Sequence, residues 1–141
     1  MSSYRVWALS HDKIDPYFNM LMSKWLRSLR YGNSYFKRID PPAYWGNYHS
    51  YIFNILNGPG TDIRLATLSE DDDVVLGFSV CQERCLDYVW VHNLQRKQGI
   101  GKALIPTKVD TYSHITNLAD EIFQYYKKKK TPIPWKFNPF Y

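Results

Sequence analysis

The sequence predicts a mixed α/β domain in which a central, mostly antiparallel sheet is flanked by helices. Helical and strand-like segments alternate along the chain, and near residue 60 the hydrophobic period changes from about 3.6 to about 2. Three strand-like runs then follow one another, as in an antiparallel meander. The 141 residues, 45% hydrophobic and 17% aromatic, suit a single domain over residues 1–141 with a core of its own.

The N-terminal half predicts one strand and two helices. Tyr4 to Leu9 alternates polar and apolar residues and opens the sheet. Asp15-Pro16 and Asp40-Pro41-Pro42 mark two helix starts, because aspartate caps the first turn and proline suits the first helical position. The apolar faces are Phe18, Leu21, Met22, Trp25 and Leu29 in the first helix and Tyr44, Tyr48, Tyr51, Ile52 and Ile55 in the second, while Lys24, Arg27 and Arg30 lie opposite the first face.

The remaining elements begin after the break at Asn57-Gly58-Pro59-Gly60. Ile63 to Leu68 and Val74 to Cys81 form a predicted hairpin around the acidic turn Glu70 to Asp73. Leu86 to Val91 is the next strand, followed by a loop and a helix that opens at Gly99 or Ile100 and ends early at Pro106. The last predicted elements are a strand over Tyr112 to Thr116, a helix over Asn117 to Lys128 and an extended tail from Trp135 to Tyr141.

Composition limits the classes of function. No apolar run approaches the ~20 residues of a membrane span, and the N-terminus lacks the apolar core of a secretion signal, so a cytoplasmic protein without membrane contact is expected. The net charge of +5 favours an anionic partner, for which both coenzyme A and nucleic acid qualify. Cys81 and Cys85 have too few other ligands nearby for a zinc site and are expected to be reduced structural thiols.

The segment from Val89 to Leu104 contains the most informative motif. An apolar strand runs into a basic, glycine-containing turn that opens a helix, an arrangement in which free backbone N–H groups bind phosphate. A dinucleotide-binding fingerprint would need a third glycine where Leu104 stands, and a P-loop would need serine or threonine where Ala103 stands. Both of these glycine-loop classes are therefore excluded.

Arg96-x-x-Gly99-x-Gly101 is similar to the (Q/R)-x-x-G-x-(G/A) signature of the GNAT superfamily of N-acetyltransferases. The resemblance implies the GNAT acyl-CoA N-acyltransferase fold, with acetyl-CoA as cofactor. It also implies that the strand at Val89, Trp90 and Val91 pairs with the pantetheine arm and that the loop holds the pyrophosphate. The loop residues with this implied role are Arg96, Lys97, Gln98, Gly99, Ile100, Gly101, Lys102 and Ala103.

The resemblance also implies a reaction, the transfer of an acetyl group to a primary amine on a small molecule or a protein. The alternative is a GNAT-fold binding protein without turnover that contacts nucleic acid or a host factor. Four stretches further resemble small acetyltransferase-like proteins of tailed bacteriophages: Lys24-Trp25-Leu26-Arg27-Ser28, Tyr88-Val89-Trp90-Val91, Ser113-His114-Ile115-Thr116 and Phe137-Asn138-Pro139-Phe140.

Five residues are candidates for proton transfer: His114, Asp87 and Glu83 as bases, and Tyr125, which is preferred, or Tyr126 as the acid. His114 has the most suitable intrinsic pKa for a general base, although a histidine hydrogen-bonded within the sheet explains it equally well. Asp87, at the start of the key strand, is a second candidate base, and Tyr125 on the last helix is the preferred acid. The lysine run Lys127 to Lys130 closes a helix that begins with acidic residues, which favours a solvated helix end over a nucleic-acid site.

Overall fold

The computed structural model describes residues 3–32, 34–92, 99–113 and 136–137, the last pair by their backbone alone. Within these ranges, six strands form one sheet in chain order. The first four strands are mutually antiparallel, while the fifth runs parallel to the fourth and the sixth parallel to the fifth. They are β1 (Tyr4–Leu9), β2 (Thr61–Leu68), β3 (Asp71–Gln82), β4 (Cys85–Val91), β5 (Thr111–Tyr112) and β6 (Lys136–Phe137). The predicted fold class is confirmed.

Helices cover both faces of the sheet. They are α1 (Asp15–Gly32), α2 (Ser34–Lys37), α3 (Pro41–Leu56) and α4 (Ile100–Leu104), with one 3₁₀ turn at His11–Lys13. The sequence analysis did not predict α2, which brings Phe36 into the core. In the described ranges, no helix is long and apolar enough to cross a bilayer.

The sheet separates two apolar layers. On one face, α1 and α3 pack against β2, β3 and β4, and the fully buried side chains here include Trp25, Tyr44 and Phe78. On the other face, Ile100 and Leu104 of α4 pack against the sheet near Ala66 and Leu76. The short α4 is therefore anchored under the middle of the sheet by two side chains one turn apart.

Several predicted boundaries were wrong: β2 starts at Thr61 rather than Ile63, β4 starts at Cys85 rather than Leu86, and two further regions differ. The hairpin turn is Ser69-Glu70, and the acidic residues 71–73 belong to β3, because Asp72 pairs with Arg5 of β1 and the Asp71 carboxylate accepts a hydrogen bond from the Asp73 N–H. The strand predicted to begin at Tyr112 instead covers Thr111–Tyr112. Its predicted continuation beyond residue 113 lies outside the described residues.

Candidate functional site

The turn into α4 depends on a left-handed glycine. Gly99 has φ 81° and ψ 2°, a conformation that costs other L-residues about 1 kcal/mol or more. Its carbonyl accepts the first helical hydrogen bond, from the Ala103 N–H at 3.0 Å. The helix then ends at Leu104, because Ile105 must be extended before Pro106. The predicted opening at Gly99 or Ile100 and the early end are both confirmed.

The two glycines of the motif leave room beside the loop. Among the described residues, a Cβ atom built on Gly99 would meet no atom within 4 Å, and one built on Gly101 would meet only the Cγ2 atom of Val91, at 3.6 Å. Lys102 and Ala103 are exposed, whereas Ile100 is buried under the sheet. The space in front of the loop therefore suits a group that approaches the backbone closely, such as a phosphate.

The end of β4 presents main-chain groups to its β5 side. The His92 N–H donates to the Leu76 carbonyl at 2.8 Å, which makes this opposed pair a hydrogen-bonded one. Because such pairs alternate along an antiparallel ladder, Trp90 directs its main-chain groups towards β3, while Val89 and Val91 direct theirs away from it. Within the part of the chain that the structure describes, β5 pairs with β4 at Cys85↔Thr111 and Leu86↔Tyr112, before this part of the strand.

The side chains of Val89, Trp90 and Val91 also lie on different faces of the sheet. Val89 and Val91 pack beside α4 on one face, while the Trp90 ring lies on the other face against Phe78, with the Lys24 ammonium 5.3 Å from its centroid. Of the three residues with a predicted role in pantetheine binding, Val89 and Val91 thus share the face of the glycine loop. Trp90 offers neither main-chain groups nor its side chain to that site.

Gly77 and Ser79 of β3 hold α4 against the strand, and the sequence analysis missed both. A Cβ atom on Gly77 would come within 2.7 Å of the Trp90 carbonyl oxygen and 3.2 Å of the Leu104 Cδ1 atom. The Ser79 hydroxyl donates to the Leu104 carbonyl at 2.8 Å. A glycine and a serine inside an otherwise apolar strand were the available signal, since such a glycine marks a close backbone approach.

A bulge places Asp87 on the face of the sheet that α1 and α3 cover. Val80 opposes Tyr88 and Cys81 opposes Leu86, so Asp87 is the additional residue on β4. Leu86 packs on the face of the sheet that α4 covers, and Tyr88 packs on the face that α1 and α3 cover. The Asp87 charge contributes to the raised pKa of the Tyr51 phenol, which indicates that the carboxylate lies near α3.

Asp87 is fully buried, and only one of its carboxylate oxygens is hydrogen-bonded. The Ser113 hydroxyl donates to Oδ1 at 2.7 Å, whereas Oδ2 is buried without a hydrogen-bond partner among the described residues. Desolvation raises the pKa of Asp87 from 3.8 to about 6, against a smaller lowering by the Ser113 hydrogen bond. Burial, together with the Asp87 charge, likewise raises the pKa of Tyr51 to about 12. Asp87 is thus a carboxylate that titrates near neutral pH.

Cys81 and Cys85 are free thiols in the interior. Burial, reinforced by nearby carboxylates, raises the pKa of each to about 12. A thiol that stays protonated at neutral pH is a poor nucleophile. The described residues also contain no group of three or more His, Cys, Asp or Glu side chains with metal-ligand geometry.

Several predicted site residues lie outside the described residues: Arg96, Lys97, Gln98, His114 and Tyr125. The described residues nevertheless give the position of one end of two of these segments. Gly99 follows directly on the basic part of the loop, and Ser113, bonded to Asp87, precedes His114. The structure therefore brings Asp87 next to the point from which the chain continues to His114.

The sequence matches no protein-family model and no curated protein. Solved structures do match: a putative acetyl transferase from Pyrococcus furiosus has a TM-score of 0.60 at 15% identity, over 91% of this chain and 92% of that one. The aminoglycoside acetyltransferase meta-AAC0020, from an uncultured soil metagenomic sample, has a TM-score of 0.51 at 14% identity, over 90% and 87% of the chains. AAC(6')-Iy, in complex with the bisubstrate analogue CoA-S-monomethyl-acetylneamine, has a TM-score of 0.50 at 14% identity, over 95% and 91%. The chain therefore has the fold of the GNAT acetyltransferases.

Proposed function

We propose that the chain transfers an acetyl group from acetyl-CoA to a primary amine. One observation supports this most directly: the part of β4 that directs main-chain groups away from β3 leads to a left-handed glycine turn with open space in front of it. An extended chain can add to a strand edge through such main-chain groups, and a phosphate can approach such a turn. Coenzyme A combines an extended pantetheine arm with a pyrophosphate.

In this proposal, Val89 and Val91 hold the pantetheine arm, and the loop from Arg96 to Ala103 holds the pyrophosphate. Helix α4 has only five residues, so its macrodipole is weak. The phosphates are then bound mainly by the loop N–H groups and by the charges of Arg96, Lys97 and Lys102. Gly99 and Gly101 contribute by leaving the backbone accessible.

Acetyl-CoA supplies the acetyl thioester. The protein must supply a base that keeps the acceptor amine neutral and an acid that gives a proton to the leaving thiolate. We assign His114, which follows the described Ser113 in the sequence, as the general base that meets the amine. Asp87, buried behind Ser113, is the group that accepts the proton further inside. Tyr125 is assigned as the acid. Because the Cys81 and Cys85 thiols stay protonated at neutral pH, direct attack is favoured over an acetyl-cysteine intermediate.

The cofactor site is tested by thermal unfolding with acetyl-CoA. A ligand at one hundred times its Kd that binds only the folded state adds about 2.7 kcal/mol of stability, so the parent protein should melt at a higher temperature. Gly101→Glu should abolish the shift, because it places a carboxylate where the phosphates bind; like charges ~4 Å apart cost ~4 kcal/mol at an effective dielectric near 20. Gly101→Ala is the matched control, since its Cβ meets only Val91 at 3.6 Å.

Two outcomes would contradict the proposal. If the parent protein shows no shift at millimolar acetyl-CoA, it does not bind this cofactor. If folded Gly101→Glu binds as tightly as Gly101→Ala, the loop is not the phosphate site. Release of free thiol across an amine panel, followed with Ellman's reagent, then separates an enzyme from a GNAT-fold binding protein, because a binding protein leaves the thioester intact.

A further inference from the structure

A pocket of about 370 Å³ lies between α1 and α3, in the helical layer opposite α4. It opens to the surface and is lined by one basic residue and two aromatic residues, Arg27, Tyr31 and Trp45. Arg27 is exposed and the Tyr31 side chain is 65% exposed, although large aromatic side chains usually pack in a core. Rings and a guanidinium at one surface site are suited to a planar ligand with negative charge.

A second cation lies behind the Trp45 wall of the pocket. Arg30 was expected on the polar face of α1, yet it is only 8% exposed, and its guanidinium lies 5.8 Å from the Trp45 ring centroid and 4.9 Å from that of Tyr44. It donates to three backbone carbonyls, those of Phe36, Lys37 and Ile39. Among the described residues, no carboxylate forms an ion pair with Arg30. Carbonyl oxygens and ring faces compensate its burial, but its full positive charge remains and favours an anion over a cation in the neighbouring pocket.

The charge of the surrounding layer has the same sign. Residues 15–56, from the start of α1 to the end of α3, contain five Lys or Arg side chains and two acidic side chains, Asp15 and Asp40, which leaves a charge of +3 out of the total of +5. Of the ion pairs in the described residues, none includes Arg27 or Arg30. A polycationic amine would be repelled here, whereas an anion would be attracted.

The pocket is connected to β4 along α1. Lys24 of α1 lies over Trp90, and the Ser28 and Tyr88 hydroxyls are hydrogen-bonded at 2.7 Å. Tyr31 is seven residues beyond Lys24, which corresponds to about 10 Å along the helix axis. A molecule of that length bound in the pocket can therefore reach the end of β4 from the face opposite the glycine loop.

We propose that this pocket binds the acceptor, and that the acceptor is an amine carrying a planar ring and an anionic group. The anion pairs with Arg27, and the positive charge of Arg30 behind Trp45 adds to the attraction. The ring packs on Tyr31 and Trp45. Polyamines and other polycationic amines are excluded by charge. This assignment rests on the proposed acetyl transfer for the role of the ligand, while binding to the pocket can be measured without acetyl-CoA.

Tyramine and O-phosphotyramine are matched probes, because they share the amine and the ring and differ in the anion alone. By isothermal titration calorimetry, O-phosphotyramine should bind the parent protein at least about tenfold more tightly than tyramine, as expected for a charge-assisted pair. Arg27→Gln should remove that preference, and Tyr31→Leu should weaken both probes. Arg38→Gln, the same charge change at an exposed position of the same layer, should retain the parent's preference.

Equal binding of the two probes, tighter binding of spermidine, or an equal loss in Arg27→Gln and Arg38→Gln would overturn the assignment. Acetyl-CoA thermal shifts on the same variants separate this inference from the proposed function. If acetyl-CoA stabilises the protein but O-phosphotyramine shows no preference, the acceptor class is wrong and the cofactor site stands. If the preference is present without any acetyl-CoA shift, the pocket stands and acetyl transfer is wrong.

Discussion

Replacing Asp87 with asparagine should change how the stability of the protein depends on pH. Asp87 is fully buried, and its pKa rises from 3.8 to about 6 on folding. The unfolded chain therefore ionises Asp87 at lower pH than the folded protein does. Between these two pKa values the folded state binds more protons, so stability falls as pH rises through this window and levels off above it. Asparagine has no such titration.

The magnitude follows from the size of the shift. About two pKa units at ~1.4 kcal/mol each give about 3 kcal/mol that the ionised carboxylate costs the folded protein at neutral pH. Asparagine retains an oxygen that accepts the Ser113 hydrogen bond, but its amide group replaces the unpaired Oδ2 atom and costs about 1–3 kcal/mol at every pH. The pH-dependent part of the difference is therefore the diagnostic quantity.

Urea unfolding of the parent and Asp87→Asn at pH 4, 5, 6, 7 and 8 measures that quantity. The free energy of unfolding of the variant, minus that of the parent, should increase by about 2–3 kcal/mol from pH 4 to pH 7 and then stay constant. Asp12→Asn, the same substitution at an exposed carboxylate, is the control for effects that do not depend on burial. A flat difference for Asp87→Asn would refute the raised pKa.

Two further predictions concern packing and catalysis. Gly77→Ala should lower the free energy of unfolding by about 1–3 kcal/mol, because the new Cβ meets the Trp90 carbonyl oxygen at 2.7 Å; an unchanged urea midpoint would show that β3 and β4 separate there without cost. His114→Ala and Tyr125→Phe should lower kcat in the thiol-release assay while acetyl-CoA binding persists, since both are proposed to move protons; turnover at the parent's rate in both variants would remove these assignments.

The fold was predictable from the sequence because its signals are local. Asp15-Pro16 and Pro41-Pro42 start helices at their own positions, and the alternation in β2 and β3 follows from one buried face. The hairpin turn was wrong because an acidic run is typical of turns, whereas Asp72 is held by Arg5, 67 residues earlier in the chain. A contact of that separation leaves no signal in the local pattern.

The site was predictable only in part, for a related reason. The motif located Gly99 and α4, because a left-handed turn requires glycine at one defined position. The partners of Asp87 were not visible: Ser113 is 26 residues away, and Tyr51 is on a helix of the first half. The burial of Arg30 was missed because helical spacing alone places it on the polar face, while three carbonyls after α1 bond it from the other side.

The alternation of side chains along β4 underlies the proposal that the two substrates approach from opposite faces of the sheet. Val89 and Val91 face α4 and the glycine loop, while Tyr88 and Trp90 face α1. Regular alternation would turn Asp87 towards α4, with Val89, but the additional residue keeps it on the helical side, beside Ser113. A carboxylate with an unpaired buried oxygen destabilises the fold. That cost is understandable if, as proposed, Asp87 accepts the proton that His114 takes from an amine arriving on the face of α1 and α3, while the thioester lies on the other face.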